Sequence, residues 1–323
     1  MDFAQVPPEE ELNRLLQKTF TRTVRKGYTV VDNFILPERY HEMKKDINEF
    51  EVYDTDLWIC GFPKTGTTWI SEIAWLILNN FDYEQAKIPD YKRTRMIEFS
   101  MLFDIKKEVL FGGEEYEMDS IGHAKSQNHP RTIKSHLPFK LLPQQISGNT
   151  VQPKIIYTAR NTMDTCISYF HHCKGYEGFT GTFEEFSKLF LFDKVNYGPY
   201  YKHVLQFWEL RHKPNIFFVT YEEMKNDITG IIQKVAKFLG KTVSKEDVKR
   251  LQEHVSFDSM KKNPAVNKEF VNKHIEATTG KKDVIFIREG KSGGYKNVMS
   301  QELIAQFCYW TDKRLQGSGL NLL

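Results

Sequence analysis

The sequence predicts a single-domain α/β fold in which helices flank a central, mostly parallel β-sheet. Three observations favour this fold class. The 323 residues suit one large domain, short apolar runs alternate with helical patterns, and no repeat, linker or change in composition divides the chain. Hydrophobic residues make up 40% and charged residues 27% of the chain, which is typical of a globular protein. We therefore treat residues 1–323 as one domain.

The individual elements follow from apolar runs and from apolar residues at helical spacing. The predicted strands are Leu57–Cys60, Thr132–Lys134, Lys154–Thr158 and Ile216–Thr220. The predicted helices are Trp69–Leu78, Met163–His171, Tyr200–Glu209 and Ile228–Leu239. Gly240 suits the C-cap of the last helix, and Ser244 with Asp247 suits the start of another.

Three stretches carry no clear pattern. Residues 1–50 are predicted to be a leader and acceptor-side segment. Residues of about 81–131 and 263–300 are predicted to be irregular, loop-rich regions that cover a substrate or cofactor, because long ordered loops in compact domains are often functional.

Charge and cysteine content exclude several classes of protein. The net charge is +3, so a global basic field of the nucleic-acid-binding kind is absent from the sequence. The N-terminus is acidic and lacks the apolar core of a signal peptide, and no apolar run reaches the length of a bilayer span. The four cysteines show neither a C-x-x-C pair nor zinc-ligand spacing. We expect a cytoplasmic protein with reduced thiols that binds neither nucleic acid nor a membrane.

The loop after the first predicted strand is the strongest functional signal. Gly61 and Gly66 have the G-x-x-x-x-G spacing of the Walker A loop, and a helix follows. The lysine is not at the Walker A position, because Lys64 lies inside the loop and Thr67 follows the second glycine. Backbone N–H groups in such a loop bind phosphate at the N-terminus of a helix. The pattern favours an anion-binding loop without a magnesium-loading role over an ordinary βα turn.

Two further strands end in polar residues. Lys134 and His136 come two apart at a strand end, where a neutral imidazole is suited to act as a general base and the lysine to meet negative charge. Arg160 ends the next strand, where a guanidinium can bind a phosphate through two hydrogen bonds. Ser168 could add a hydroxyl donor to the same anion. The alternatives are a surface histidine beside a proline, an Arg160–Asp164 ion pair and a tolerated helix serine.

A fourth segment, residues 286–294, is rich in glycine and carries Arg288 and Lys291. It is within reach of an anion if the tail folds back over the sheet, and a flexible basic loop is the alternative.

Together these segments resemble the cytosolic sulfotransferases over nearly the whole chain. The motifs that carry the resemblance occur in the family's order: Phe62-Pro63-Lys64-Thr65-Gly66-Thr67-Thr68-Trp69, Lys134-Ser135-His136-Leu137-Pro138, Arg160 with Ser168, Tyr221-Glu222-Glu223-Met224, and Arg288-x-Gly290-x-x-Gly293. The resemblance implies a P-loop-like phosphosulfate-binding loop in a single α/β domain. It also implies that 3′-phosphoadenosine 5′-phosphosulfate (PAPS) donates a sulfuryl group to a hydroxyl or amine, leaving the bisphosphate PAP. The acceptor class would be a small, largely apolar phenol, alcohol, sterol, catecholamine or retinoid.

The resemblance also assigns residues to the donor and to the chemistry. The 5′-phosphosulfate would lie on Lys64, Thr65, Gly66, Thr67 and Thr68. The adenine and the rest of the nucleotide site would be formed by Trp69, Tyr221, Ser256, Phe257 and Met260. The 3′-phosphate would be held by Arg160, Ser168, Arg288 and Gly290. The catalytic residues would be His136 as the base, Lys64, and Lys134 as a helper at the transferring group.

This assignment fits the chemistry of the residue types. Sulfuryl transfer is an in-line displacement like phosphoryl transfer, so catalysis should rest on positioning and charge stabilisation. The acceptor hydroxyl must lose a proton, which suits His136. Charge grows on the bridging oxygen of the leaving nucleotide, which suits Lys64. We expect no metal, because the leaving group is already a stable phosphate.

The chain departs from the family's usual pattern in several places. Glu289 stands where a lysine is usual beside the 3′-phosphate, which should weaken donor binding unless it turns away or Lys291 compensates. Val255 replaces a common threonine. The family's dimer motif is not recognisable after Lys296, so a homodimer is possible but in doubt. An acceptor pocket is expected from Phe99, Phe103, Phe170 and His172, and His172 would make it more polar.

Three alternative functions remain open. One is an enzyme like retinol dehydratase that sulfonates an alcohol transiently and then expels sulfate. Another is a catalytically weak nucleotide- or ligand-binding protein, which Glu289 favours and the presence of Lys64, Lys134 and His136 disfavours. A nucleotide kinase is disfavoured by Thr67 in the position of the Walker lysine.

Overall fold

A five-stranded parallel sheet lies at the centre of the computed structural model, which describes residues 6–20, 27–103, 118–282 and 284–323. The strands are β1 Tyr28–Val31, β2 Phe34–Pro37, β3 Leu57–Gly61, β4 Arg95–Met96, β5 Thr132–Ser135, β6 Lys154–Ala159 and β7 Ile216–Thr220. The central sheet has the order β4-β5-β3-β6-β7, with every pair parallel. Strands β1 and β2 form a separate antiparallel hairpin. The predicted α/β fold class is confirmed.

The described α-helices connect and cover these strands. They are Glu9–Phe20, Tyr40–Asn48, Thr67–Leu78, Asp90–Arg93, Ser120–Lys125, Gln144–Ser147, Thr162–Tyr176, Phe183–Leu191, Tyr200–Trp208, Tyr221–Asn226, Ile228–Leu239, Lys245–His254, Phe257–Lys262, Glu269–Thr279 and Gln301–Leu315. In the described part of the chain, no helix has the length and apolar character that crossing a membrane requires.

Local sequence signals predicted several boundaries well. The helix Ile228–Leu239 has the expected bounds, and Gly240 ends it with a φ of 72°, which glycine adopts at little cost. Ser244 and Asp247 form the expected capping box. The helix predicted as Met163–His171 is longer and spans Thr162–Tyr176, and the side chain of Asn161 caps its start.

The prediction of irregular structure over residues 263–300 was wrong for its first part, where the chain forms the helix Glu269–Thr279. This helix buries only Val271 and Ile275, so its sequence carries too short an apolar stripe to be recognised. The 81–131 region likewise contains short helices and β4, while its residues 104–117 lie outside the described part.

Both faces of the central sheet are buried. In β3, Trp58 and Cys60 pack into the core on one face, whereas Leu57 and Ile59 pack into a second core on the other. Burial on both faces is usual for parallel sheets covered by helices. It explains why β3 reads as an unbroken apolar run.

The parallel register brings the ends of four strands together. Gly61 lies beside Thr158, Cys60 beside Ser135, and Ala159 beside Thr220. The loops that leave β3, β5, β6 and β7 therefore begin at one edge of the sheet, which is where ligands bind in such folds.

Candidate active site

A cavity of about 310 Å³ opens at this carboxyl edge of the sheet. It collects most of the residues that the sequence singled out. They are Lys64, Gly66, Thr67, Thr68, Trp69, Phe99, Phe103, Lys134, His136, Arg160, Ser168, His172, Tyr221, Phe257, Met260, Arg288, Glu289 and Gly290.

Three predicted residues lie away from the cavity lining. The Thr65 hydroxyl donates to the Phe62 carbonyl at 2.7 Å and lies 3.0 Å from the Thr158 hydroxyl, so its side chain stabilises the loop from beneath. Ser256 is exposed and caps the helix Phe257–Lys262 by accepting from the Ser259 N–H.

Phe170 is the third, and the structure places it in the core instead of an acceptor pocket. Its ring packs against Phe179, Phe183 and Phe186. The reason is helical phase, because each residue turns the helix by about 100° and Phe170 falls opposite Ser168 and His172.

Backbone conformation shapes the loop between β3 and the helix Thr67–Leu78. Gly66 has a φ of 105°, and a Cβ there would lie 3.0 Å from atoms of Tyr221 and Met224. A Cβ on Gly61 would lie 2.6 Å from the Thr158 hydroxyl. The glycine spacing seen in the sequence thus meets a physical need at both positions.

The environment of His136 fixes its hydrogen bonding. Its Nδ1 lies 2.5 Å from the Gly61 carbonyl, which can only accept, so Nδ1 carries the hydrogen and Nε2 carries the lone pair. Burial, aided by the nearby charge of Lys134, holds the pKa of His136 well below its usual value. The imidazole is therefore neutral and ready to accept a proton.

Several cations line the same cavity as this histidine. Burial lowers the pKa of Lys64 to about 7, and the neighbouring charges of Lys134 and Arg160 add to the effect. Burial also lowers the pKa of Lys134 to about 8. Nε of Arg160 is buried and has no hydrogen-bond partner in the described parts of the chain. This cluster of poorly compensated positive charge fits an anionic ligand.

The tail loop forms one wall of the cationic end. Arg160 Nη2 donates to the Lys291 carbonyl at 2.8 Å. Asp164 accepts from the N–H groups of Gly293 at 2.6 Å and Tyr295 at 3.2 Å. The tail thus folds back over the sheet edge, as one of the two sequence interpretations required.

Aromatic rings line another part of the cavity. Trp69 Nε1 donates to the Val255 carbonyl at 2.9 Å, and the Trp69 and Tyr221 rings lie 5.5 Å apart. Gly290 has a φ of 62° and lies so close to the Phe257 ring that a Cβ would overlap it. The arrangement offers flat apolar surfaces to a planar base.

Comparison with known proteins decides the family. The sulfotransferase domain family matches residues 54–319. The chain belongs to the sulfotransferase family. By that membership it is a PAPS-dependent sulfotransferase, as the motifs predicted.

Individual relatives agree over most of the chain. Luciferin sulfotransferase from Photinus pyralis is 36% identical over 320 residues, covering 97% of this chain and 86% of the relative. Sulfotransferase 1 family member D1 from Rattus norvegicus is 36% identical over 274 residues, covering 82% and 84%. A crystal structure of retinol dehydratase in a complex with retinol and PAP superposes with a TM-score of 0.87 at 26% identity, covering 98% of this chain and 97% of that one.

Sequence reasoning missed several polar residues in and behind this sulfotransferase's cavity. Glu98 lies outside the cavity lining, but it is fully buried and accepts from the His136 N–H at 2.5 Å, and burial raises its pKa to about 7. The cavity lining also contains the ion pair of Asp90 and Lys268, and Glu177, which faces the predicted residue His172. A carboxylate inside the apolar run Met96-Ile97-Glu98-Phe99 was the one signal available for Glu98.

In the parts of the sulfotransferase that the structure describes, no group of three or more His, Cys, Asp or Glu residues could hold a metal ion. The four cysteines are free thiols there, and three of them are buried.

Proposed function

We propose that this sulfotransferase transfers a sulfuryl group from PAPS to a hydroxyl, or less favourably an amine, of a small and largely apolar acceptor. His136 acts as the general base in this reaction. The predictions of a cytoplasmic location and of a possible homodimer remain predictions.

The observation that carries the proposal is the contact between His136 Nδ1 and the Gly61 carbonyl. Its Nδ1–H is used by the Gly61 carbonyl, so Nε2 is the atom that takes the proton lost by the acceptor hydroxyl. His203 supports this geometry, because its Nε2 lies 2.9 Å from the His136 carbonyl. A base that is fixed and neutral at pH 7 is what the transfer to a hydroxyl requires.

The cations support a donor of the PAPS type. When bound, PAPS supplies the sulfuryl group, and Lys64 and Lys134 place positive charge where negative charge develops. Arg160 and Arg288, with the hydroxyl of Ser168, are suited to hold the 3′-phosphate. Trp69, Tyr221 and Phe257 are suited to hold the adenine. The lowered pKa values of both lysines fit this role, because an incoming anion stabilises their charged forms.

The cavity lining also contains apolar and aromatic side chains that are suited to bind the acceptor. They are Met96, Phe99, Leu102, Phe103, Tyr176, Ile275 and Phe286. Such a lining favours an apolar ring system beside the reacting hydroxyl. The names of the relatives point the same way, since luciferin and retinol are small molecules.

A transfer assay tests the proposal. The purified protein is given sulfur-labelled PAPS and a panel of phenols, sterols, catecholamines and retinoids, and mass spectrometry identifies the product. We expect sulfate esters from at least one class. An olefin with free sulfate would instead show the dehydratase alternative, and PAP binding without turnover would show the ligand-binding alternative.

The His136→Ala variant tests the base. We expect kcat to fall about 10²–10⁴-fold, the range that general base catalysis contributes, with PAP affinity changed little. The control measurement is PAP titration by calorimetry on the same variant. Turnover close to that of the wild type would exclude His136 as the base.

A further inference from the structure

One aromatic ring lies directly against the lysine of the loop that follows β3. Nζ of Lys64 is 4.0 Å from the centroid of the Phe286 ring, well inside the distance at which a ring face attracts a cation. In the parts of the chain that the structure describes, Lys64 forms no ion pair with a carboxylate. The ammonium thus rests on the face of a ring in place of an anion.

The other charges near Lys64 make this contact important. Burial lowers the pKa of Lys64 to about 7, and the positive charges of Lys134, Arg160 and Arg288 act in the same direction. The sulfur of Cys173, on the helix that follows β6, acts in the opposite direction. A ring face can favour the charged form of a desolvated ammonium by about tenfold or more. The ring therefore helps Lys64 to stay charged near pH 7.

Two side chains of the helix that follows β6 hold the Phe286 ring in place. The ring meets Tyr176 edge to face at a centroid distance of 6.0 Å, and it meets His172 in the same way at 6.3 Å. Burial lowers the pKa of His172, so this imidazole is neutral at pH 7 and adds no charge beside the ring. The position of the ring therefore does not depend on Lys64 alone.

The contact leaves the ammonium free to bind an anion. Lys64 and Phe286 both line the cavity. An ammonium carries three N–H donors, whereas its attraction to a ring face depends on its charge. Lys64 can therefore donate to an anion in the cavity without leaving the ring.

We propose that Phe286 is a positioning residue of this sulfotransferase, whose ring face keeps the Lys64 ammonium charged and directed at the phosphosulfate of the donor. This role rests on the proposed function, in which Lys64 binds PAPS. Phe286 acts on the donor through Lys64, and His136 remains the base.

Fluorinated phenylalanines test the ring face. Mono-, di- and trifluorophenylalanine, placed at position 286 of the full-length protein, withdraw electrons from the ring in steps and nearly keep its shape. The Kd for PAP is measured by calorimetry at pH 6 and at pH 8. These values lie below and above the pKa of Lys64, which is about 7 without nucleotide.

The expected effect depends on pH because binding requires charged Lys64. A weaker ring face lowers the pKa of Lys64 further, so more of the protein must take up a proton to bind PAP at pH 8. We expect the Kd at pH 8 to rise with each fluorine, by about five- to tenfold for the trifluoro compound. At pH 6 Lys64 is largely charged throughout the series, so the Kd should change by less than about twofold.

A second substitution shows whether Lys64 is the cation that responds. In Lys64→Met the ring has no ammonium to act on, so fluorination should no longer change the Kd at pH 8. This background also isolates the contribution of Lys268, whose Nζ lies 5.9 Å from the same ring and pairs with Asp90.

Phe103 is the matched control for fluorination, because it lines the same cavity and packs against the Phe99 ring at a centroid distance of 5.3 Å. The same compounds at position 103 should leave the ratio of the Kd values at pH 8 and pH 6 unchanged.

The outcomes separate this inference from the proposed function. No transfer from PAPS to any acceptor by the wild type would contradict the proposed function itself. With transfer intact, three results would each overturn the role of Phe286 alone: a Kd at pH 8 that does not rise with fluorination, an equal rise at both pH values, or a rise that survives Lys64→Met.

Discussion

The sheet edge and the tail loop contribute two halves of the same cavity, and they are held in different ways. Gly61 is the last residue of β3, and the next strands are followed directly by His136, Arg160 and Tyr221. The hydrogen-bond ladder of the sheet therefore fixes the spacing of these residues. The tail loop, residues 286–295, is held by a few contacts to side chains and loop carbonyls, chiefly through Asp164 and Arg160. We infer that the sheet edge sets the chemistry, while the tail sets how tightly the nucleotide is held.

After the loss of His136, the largest effect is expected at the sheet edge, from Lys64→Ala. This change removes one of the lysines of the cavity lining, so we expect kcat to fall by about 10²–10³. It also removes a buried charge whose lowered pKa shows that the ligand-free protein holds it at a cost. The variant should therefore unfold at a higher temperature than the wild type without nucleotide, as differential scanning calorimetry would show.

Lys225→Ala is the matched control. Lys225 lines the cavity, is exposed, and lies in the helix Tyr221–Asn226 that follows β7. Its loss should alter nucleotide affinity modestly and leave kcat nearly unchanged. Equal losses of kcat in the two variants would mean that kcat depends on the total charge of the cavity and that the position of Lys64 gives it no particular role.

The same contrast explains what the sequence could predict. The loop from Gly61 to Gly66 and the helix Ile228–Leu239 follow from local patterns, because glycine spacing and apolar periodicity are local properties. Phe170 was misplaced because it lies two positions from Ser168 and from His172, which turns its side chain to the opposite side of the helix. Glu98 and Glu177 were missed because their contacts with His136 and His172 form only in the assembled fold.

Breaking the attachment of the tail should have the next largest effect. Asp164→Asn weakens the two hydrogen bonds that the buried carboxylate accepts from the N–H groups of the tail. We therefore expect the Kd for PAP to rise about tenfold or more with kcat at saturating donor largely kept. Hydrogen exchange over residues 286–295 should become faster, while exchange in β3 and β6 should not.

Asp258→Asn is the control for the change of charge, because Asp258 is exposed on the nearby helix Phe257–Lys262. If Asp164→Asn leaves both the PAP affinity and the exchange of the tail unchanged, the tail is held by contacts other than these.

The pH dependence of donor binding tests the cations of the sheet edge. A bound anion favours the charged form of Lys64 and raises its pKa above the ligand-free value of about 7. Affinity for PAP should therefore be fully present below pH 7 and should fall as the pH rises above it, by at most about tenfold per unit for each proton taken up. Lys134, with a pKa of about 8, adds to the fall at higher pH.

Calorimetry in buffers of different ionisation enthalpy measures the uptake of protons directly. We expect net uptake on binding at pH 8, and less in Lys64→Met than in the wild type. An affinity that stays constant from pH 7 to 8.5 would show that both lysines are already charged without ligand.

The smallest effect is expected in the tail itself, at Glu289. This carboxylate forms an ion pair with Arg288 Nη1 at the cationic end of the cavity, where it competes with a phosphate for the same guanidinium. The pair is partly exposed, so its influence is moderated by solvent and salt. We expect Glu289→Lys to lower the Kd for PAP by about three- to tenfold and Glu289→Gln to give part of this gain.

AMP distinguishes the mechanism, because it lacks the 3′-phosphate of PAP. The gain from Glu289→Lys should be absent for AMP and should shrink as salt is raised. Slower dissociation of PAP in stopped-flow measurements would then show that Glu289 favours product release. An equal gain for AMP would mean that Glu289 repels the nucleotide as a whole. The tail would then act on the total negative charge of the ligand and would not be a site for the 3′-phosphate.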